Sequence, residues 1–256
     1  MFTLGCTRAY LYAHPERELT AEEFSRYDDV LSQRAQGIPS QYITGHQEFW
    51  GLDLIVTPSV LIPRPETEHL IESVLERVKA SGVANPSAHP WAIADVGTGS
   101  GCIALALAKE LSAARIDATD ISAAALEVAR SNAARHQFES NIQFHHTDLL
   151  QGLPDSAFDF VVSNPPYVGD SEEDEVQLEV RKHEPRNAVF AGPTGLEVID
   201  RLLPEAHRAL KSGGWLVIEI SGTIASGVRS RLESWVNSAI TPDLQGISRV
   251  AMAQRR

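Results

Sequence analysis

The chain has 256 residues, 43% of them hydrophobic and 22% charged, and a formal net charge of −12. This balance describes a globular chain of one large domain with a small appendage, and the acidity speaks against broad nucleic-acid affinity, which needs phosphate-neutralising Lys and Arg. No apolar run approaches membrane-spanning length and the first residues lack a charged-then-apolar secretion pattern, so a cytoplasmic location without membrane contact is expected. The two cysteines, Cys6 and Cys102, lie far apart without metal-ligand spacing, so neither a disulfide nor a metal centre is expected.

Residues 1–44 read as helical. Thr20 can cap a helix and Glu23, three residues on, completes a capping-box pattern. Phe24, Tyr27, Val30 and Leu31 follow at helical spacing, and Gly37 and Pro39 end the run. This is too little to bury a core of its own, so it should pack on another surface. Residues 45–66 are rich in aromatic and aliphatic side chains, broken at Gly51 and at Thr57-Pro58-Ser59. They predict a hairpin of two short strands linking two domains. Pro63-Arg64-Pro65-Glu66-Thr67-Glu68 then opens a helix over 67–79, and a plain linker has no need of Arg64, Glu66 and Glu68 together around two prolines. Residues 81–90 are a loop.

From Trp91 the pattern alternates. Strands are predicted over 91–96, 115–119, 141–144, 158–162, 215–220 and 247–253, and helices over 102–111, 122–136, 196–210 and 223–235. Ser122 is the expected cap of the second helix, and Ser212-Gly213-Gly214 the stop of the third. The fold class is α/β, a doubly wound and mostly parallel sheet with helices on both faces. It spans 67–256, behind a helical part (1–44) and a hairpin linker (45–66).

Two stretches in this frame carry chemistry. Asp95-Val96-Gly97-Thr98-Gly99-Ser100-Gly101 lies between the first strand of the sheet and its helix, where glycines let the backbone turn tightly and approach a ligand. It lacks the phosphate-binding lysine of Gly-x-x-x-x-Gly-Lys-Ser/Thr and the rhythm of Gly-x-Gly-x-x-Gly. Asp120 ends the next strand, about twenty residues further on, where a carboxylate can take both hydroxyls of a ribose. Asp148, after the third strand, could reach an adenine edge, although an exposed loop carboxylate reads the same. The fourth strand ends abruptly in Asn164-Pro165-Pro166-Tyr167. Two prolines cannot continue a ladder and they push Asn164 away from helical angles. Such a stiff turn suits holding an –NH2 group, with the Asn164 oxygen and a proline carbonyl as acceptors and Tyr167 against its flat face.

These residues resemble a class I S-adenosylmethionine-dependent methyltransferase, of the branch that methylates planar –NH2 nitrogens. Gln41-Tyr42-Ile43-Thr44-Gly45, Val60 through Glu68, Asp95 through Ala104, Val162 through Tyr167, Glu184-Pro185-Arg186-Asn187-Ala188 and Gly195-Leu196 are together similar to the release-factor glutamine methyltransferases, from about residue 19 onward. The Pro-Arg-Pro-Glu-Thr-Glu segment is the most specific part of that resemblance. It implies a seven-stranded Rossmann-like sheet and S-adenosyl-L-methionine as cofactor, with S-adenosyl-L-homocysteine as product. Gly97, Thr98, Gly99, Ser100 and Gly101 would wrap the methionine part, Asp120 the ribose, and Leu149 would pack by the adenine, with Asn164 bordering the cofactor. Asn164, Pro165, Pro166 and Tyr167 would hold the glutamine amide, Asn164 and Tyr167 being the catalytic pair, with no metal. The implied substrate is the glutamine of the Gly-Gly-Gln loop in class-1 peptide chain release factors, bound by a monomer without direct nucleic-acid contact. Against the family pattern the helical, substrate-docking part (1–44) is expected to be shortened, unless the start at Met1 is misassigned.

An amide nitrogen is a poor nucleophile and the motif contains no strong base. Positioning rather than deprotonation is therefore the expected source of rate. Two other readings compete: a methyltransferase for the adenine amino group of DNA or RNA, and an inactive cofactor-binding scaffold on translation factors. The low isoelectric point of about 5.2 counts against the first, and the intact Asn-Pro-Pro-Tyr counts against the second. The loop 168–186, with its acidic run over 170–175, reads equally as a lid over a bound peptide or as solvated surface.

Overall fold

The computed structural model describes all residues from Met1 to Arg256. Three helices, α1 (Arg8–Ala13), α2 (Ala21–Ala35) and α3 (Ser40–Thr44), precede a hairpin of β1 (His46–Phe49) and β2 (Leu52–Ile55). The main domain follows as α4 (Glu68–Ala80), β3 (Ala92–Val96), α5 (Cys102–Glu110), β4 (Arg115–Asp120), α6 (Ala123–His136), β5 (Ile142–His146) and β6 (Phe158–Ser163). A small lobe holds β7 (Val168–Gly169), α7 (Leu178–His183), α8 (Arg186–Val189) and β8 (Phe190–Gly192). The chain closes with α9 (Glu197–Ala209), β9 (Leu210–Glu219), α10 (Ala225–Arg231), β10 (Val236–Pro242) and β11 (Ser248–Gln254).

Seven strands form one sheet in the order β10-β11-β9-β6-β3-β4-β5. The pairs from β9 to β5 are parallel, and β11 returns antiparallel to both β9 and β10. Side-chain alternation splits the core in two. Ile93, Phe160, Val162 and Val217 face α4 and α5, while Ala94, Val96, Val161, Leu216 and Ile218 face α9 and α10. Helices therefore cover both faces, as a parallel sheet requires. No helix is long and apolar enough to cross a membrane.

Three expectations need correction. Ser212-Gly213-Gly214 does not stop a helix before a strand; it lies inside β9. The pairing jumps from Phe158–Leu210 to Phe160–Trp215, so the segment is a bulge that Gly213, with φ of 79°, accommodates. The helix predicted over 223–235 is only α10, and the residues after it form β10, which the sequence reading missed. That strand is an exposed edge with Asn237, Ser238 and Pro242, and it carries none of the alternating apolar pattern of a buried strand. In the hairpin, Val60, Leu61 and Ile62 are not strand; Val60 lies in a bend and Leu61 and Ile62 in irregular chain, with Val60 and Ile62 buried.

At the other end, Thr20 caps α2 as expected. Its hydroxyl accepts from Glu23 N at 3.2 Å and the Glu23 carboxylate accepts from Thr20 N at 3.0 Å. The apolar face of that helix is open to solvent, with Phe24 60%, Tyr27 42% and Leu31 47% exposed. Its link to the rest is polar, an Arg34–Glu179 ion pair of 3.0 Å onto α7.

Asn132 ties hairpin to main domain. It is wholly buried on α6; its Oδ1 accepts from Ile55 N at 2.7 Å, and its Nδ2 donates to Ile55 O at 3.0 Å and to Ser100 O at 2.9 Å. A side-chain amide thus pairs with the free edge of β2 and with the glycine loop at once. Asn132→Ala strands these buried backbone groups, and is expected to cost about 2 kcal/mol, read as a lower midpoint in urea unfolding. An unchanged midpoint would contradict this role.

Candidate active site

The cavity of about 300 Å³ at the carboxyl ends of the parallel strands is lined by the loops after β3, β4, β5 and β6. Register builds it. Val96 pairs with Thr119 on one side and with Ser163 on the other. The residues that follow, Gly97, Asp120 and Asn164, therefore emerge side by side at the point where strand order reverses.

Gly97 N and Thr98 N both donate to Thr119 O, each at 2.9 Å, and Gly99 N donates to the Asp120 carboxylate at 2.9 Å. This folds the loop back onto β4 with Gly97 at φ 72° and Gly99 at φ 56°, angles that side chains rarely adopt. A Cβ at either glycine would meet no protein atom within 4 Å; both residues line the cavity, so the cradle is open on the ligand side. Asp120 also accepts from Ser122 N at 2.8 Å. Burial raises its pKa, and the Ser122 and Gly99 amides pull it back. Ser100 Oγ and Thr119 Oγ1 are buried without a partner. Leu149 lines the cavity with Ile121 and Val198, and holds a φ of 51°. A ribose-sized polyol by Asp120 and a flat apolar ring by Leu149 both fit this lining.

Beneath the loop lies Asp95, wholly buried on β3. Its Oδ2 accepts from Thr98 Oγ1 at 2.6 Å and from Ala104 N at 3.2 Å, while Oδ1 has no partner. Burial pushes its pKa up to about 7 against those two hydrogen bonds. The thiol of Cys102, on the cavity wall, is pushed up to about 12 and stays neutral.

After β6 the turn Asn164-Pro165-Pro166-Tyr167 enters the cavity at Asn164 and Pro166. Asn164 Nδ2 donates to Thr67 Oγ1 at 3.1 Å, which leaves Oδ1 as a free acceptor. The Tyr167 ring packs against the core beside α9 and α10, and its hydroxyl donates to Glu219 Oε1 at 3.1 Å. Thr67 and Glu219 are both about 1% exposed.

Similarity to known proteins decides the family. The PrmC N-terminal domain model matches residues 1–45 and the Methyltransferase small domain model matches residues 83–183. A release factor glutamine methyltransferase of Koribacter versatilis is 50% identical over 256 residues, covering 100% of this chain and 88% of that protein. The chain belongs to the release factor glutamine methyltransferase family. A Coxiella burnetii member is 41% identical over 97% of this chain and 87% of its own. The N-terminal domain of human METTL16 in complex with SAH shares the fold, with a TM-score of 0.58 at 16% identity over 90% of this chain and 84% of that one. The sheet is that of a class I methyltransferase.

Within this family frame the sequence-derived residues fall into two groups. Gly97, Thr98, Gly99, Ser100, Asp120, Leu149, Asn164 and Pro166 line the cavity. Gly101, Pro165 and Tyr167 do not line it. Gly101, at φ 84°, caps α5 and lies so close to the helices that a Cβ there would meet Leu105 at 2.6 Å and Ala129 at 3.3 Å. Asp148 reaches the lining but its carboxylate is taken by Arg201. The polar segment before α4 resolves into separate tasks. Arg64 pairs with the buried Glu184, whose other oxygen accepts from Ile62 N at 3.0 Å, and Glu68 accepts from Trp50 N at 2.9 Å. Asn132, Thr67 and Glu219 were not singled out from the sequence. A signal existed for the last, a carboxylate inside the apolar run Trp215-Leu216-Val217-Ile218-Glu219-Ile220. No cluster of three or more His, Cys, Asp or Glu side chains could hold a metal ion.

The raised pKa of Asp95 has a pH signature. A carboxyl with a higher pKa folded than unfolded stabilises the fold below about pH 4. That contribution is lost as pH rises through about 7. Tm is expected to fall between these values, and less steeply in Asp95→Asn, which carries a neutral amide throughout. Parallel Tm curves for the two proteins would contradict it.

Proposed function

We propose that this chain methylates the side-chain amide nitrogen of the glutamine in the Gly-Gly-Gln loop of class-1 peptide chain release factors, using S-adenosyl-L-methionine. The observation that carries the reading is the free Asn164 oxygen at the mouth of the glycine-loop cavity, in a chain of this family. Translation termination is then the process served, and the cytoplasm its location. An acceptor for the adenine amino group would be held by the same turn, but the relatives named above favour the protein substrate.

In this reading the cofactor, when bound, supplies a methyl group activated on a sulfonium. Gly97 to Ser100 leave room for its amino-acid part and Asp120 accepts from the ribose, while Leu149 and Ile121 flank the adenine. Gly101 contributes through the packing that holds the loop. Asn164 Oδ1 and the Pro165 carbonyl accept the two N–H groups of the glutamine amide. Pro166 stiffens the turn, and Tyr167 holds its far end. Methylation replaces one N–H by N–CH3 and releases one proton. With no strong base at the turn, orientation is the main lever, worth about 7–11 kcal/mol in favourable cases. The exposed face of α2, with Phe24, Tyr27 and Leu31, is the surface on which the N-terminal helical part would dock the release factor. Residues 45–66 would couple it to the catalytic domain, 67–256, and the working unit would be a monomer.

The test is transfer of labelled methyl from S-adenosyl-L-methionine to a purified class-1 release factor, beside a control factor whose Gly-Gly-Gln glutamine is replaced. Label on the first alone is expected. Label on both, or on neither while the cofactor still binds, would overturn the reading.

A further inference from the structure

The cavity wall is not made by the sheet alone. Ser59, Val60 and Leu61 of the linker and Pro185, Ala188 and Phe190 of the small lobe take part in it. Neither stretch belongs to the seven-stranded sheet, so strand register does not fix where they stand. Val60 seats the linker on α6, against Ala125 and Val128. The lobe is held differently. Most of its ion pairs are internal, Arg186 with Glu173 and Asp170, and Arg181 with Asp174. Two reach outside it. Glu179 pairs with Arg34 of α2, but the two side chains are 37% and 41% exposed, and a pair so open to solvent contributes little.

The other is Glu184, the residue before Pro185. Its side chain is 1% exposed. One oxygen accepts from Ile62 N at 3.0 Å and the other pairs with Arg64. A buried carboxylate is costly unless it is paired and hydrogen-bonded, and here both partners come from the linker run that supplies the facing stretch of lining. A third bond reaches the same run from the N-terminal helical part. Tyr42, on α3, donates its hydroxyl to Val60 O at 2.6 Å. Tyr42 is close enough to Glu184 and Arg64 for both to act on its ionisation, in opposite senses.

We propose that Glu184, Arg64 and Tyr42 are positioning residues for cofactor binding: Glu184 and Arg64 clamp the small lobe to the linker so that both enclose the cavity for S-adenosyl-L-methionine, and Tyr42 joins the N-terminal helical part to that clamp. The proposal rests on the cofactor assigned above and not on the protein substrate. It gives the N-terminal helices a second task, retention of the cofactor.

The experiment titrates S-adenosyl-L-homocysteine calorimetrically for Kd, and measures Tm and kcat at saturating S-adenosyl-L-methionine, in Glu184→Gln, Arg64→Ala, Arg64→Lys, Tyr42→Phe and the Glu184→Gln/Arg64→Ala double variant. A glutamine at 184 can still accept from Ile62 N but loses the ion pair without stranding a charge. Glu184→Gln and Arg64→Ala are each expected to raise Kd about tenfold, the scale of one charge-assisted hydrogen bond, with kcat at saturation unchanged, as for a loss of uniform binding. The double variant should bind no more weakly than the weaker single, because both break the same clamp. Arg64→Lys, which keeps the charge, should retain most of the affinity, and Tyr42→Phe should raise Kd about fivefold, the scale of one neutral hydrogen bond. A merely structural role would lower Tm and leave Kd where it was. An unchanged Kd in Glu184→Gln overturns the proposal, as do multiplied losses in the double variant or an Arg64→Lys no better than Arg64→Ala. If Glu184→Gln does not fold, the two Arg64 variants and Tyr42→Phe decide. Failure of the unaltered protein to bind S-adenosyl-L-homocysteine would sink the cofactor reading and this proposal with it, whereas binding without methyl transfer to a release factor would sink the substrate reading alone, and the clamp is then judged on Kd.

Discussion

Ser163 donates its hydroxyl to the Val96 carbonyl at 2.7 Å, and behind that bond β3 and β6 run in register through Asp95–Val162 and Ala94–Val161. Parallel strands joined at this register end level with each other. The glycine loop and the Asn-Pro-Pro-Tyr turn therefore leave the sheet as neighbours although more than sixty residues of chain separate them. A slip of one residue would turn every side chain of β6 to the opposite face, exchanging Val161 and Val162 between the two cores and moving Asn164 out of the cavity. The apolar packing on both faces of the sheet thus holds two polar loops at a fixed separation. That separation is what a transfer between a cofactor and an amide needs.

The polar groups buried around this junction work against stability. Asp95 and Glu219 both sit where burial disfavours their charge, and each has an oxygen with no hydrogen-bond partner. Neither carboxylate is there to strengthen the fold, since apolar residues of similar size would pack at lower cost. Asp95 instead holds Thr98 and the start of α5, shaping the loop from below, and Glu219 holds the turn from behind. The site is built as a thin exposed layer, in which glycine backbone, Asp120 and Asn164 meet the cavity, on a buried layer that determines where those groups point.

The exposed layer was readable from the chain itself because its residues break local rules. Gly97-Thr98-Gly99 interrupts a strand-to-helix passage, and Pro165-Pro166 stops an apolar strand dead. The buried layer was harder to read: Asn132 and Thr67 follow no local pattern, and the one mark of Glu219 is a carboxylate inside an apolar run. Their partners are 77, 97 and 52 residues distant. Alternating apolar periods predicted most strands of the sheet for the same reason that they missed β10, whose exposed side chains carry no such period. The bulge at Ser212-Gly213-Gly214 looked like a stop because glycine ends helices and kinks strands alike. Tyr167, expected on the face of the substrate amide, packs part of its ring against the core and gives its hydroxyl to Glu219.

The division of labour across the β3–β6 junction is the central claim, and separate measurement of binding and turnover tests it most directly. Cofactor Kd and kcat at saturating cofactor would be compared in Asp120→Ala and Asn164→Ala. The account predicts that Asp120→Ala weakens cofactor binding and recovers much of its turnover when the cofactor is in excess, whereas Asn164→Ala binds the cofactor normally and turns over slowly at any concentration. Matching losses of affinity and turnover in both variants would contradict it, and would mean that loop and turn act as one cofactor site rather than as two sites brought together by register.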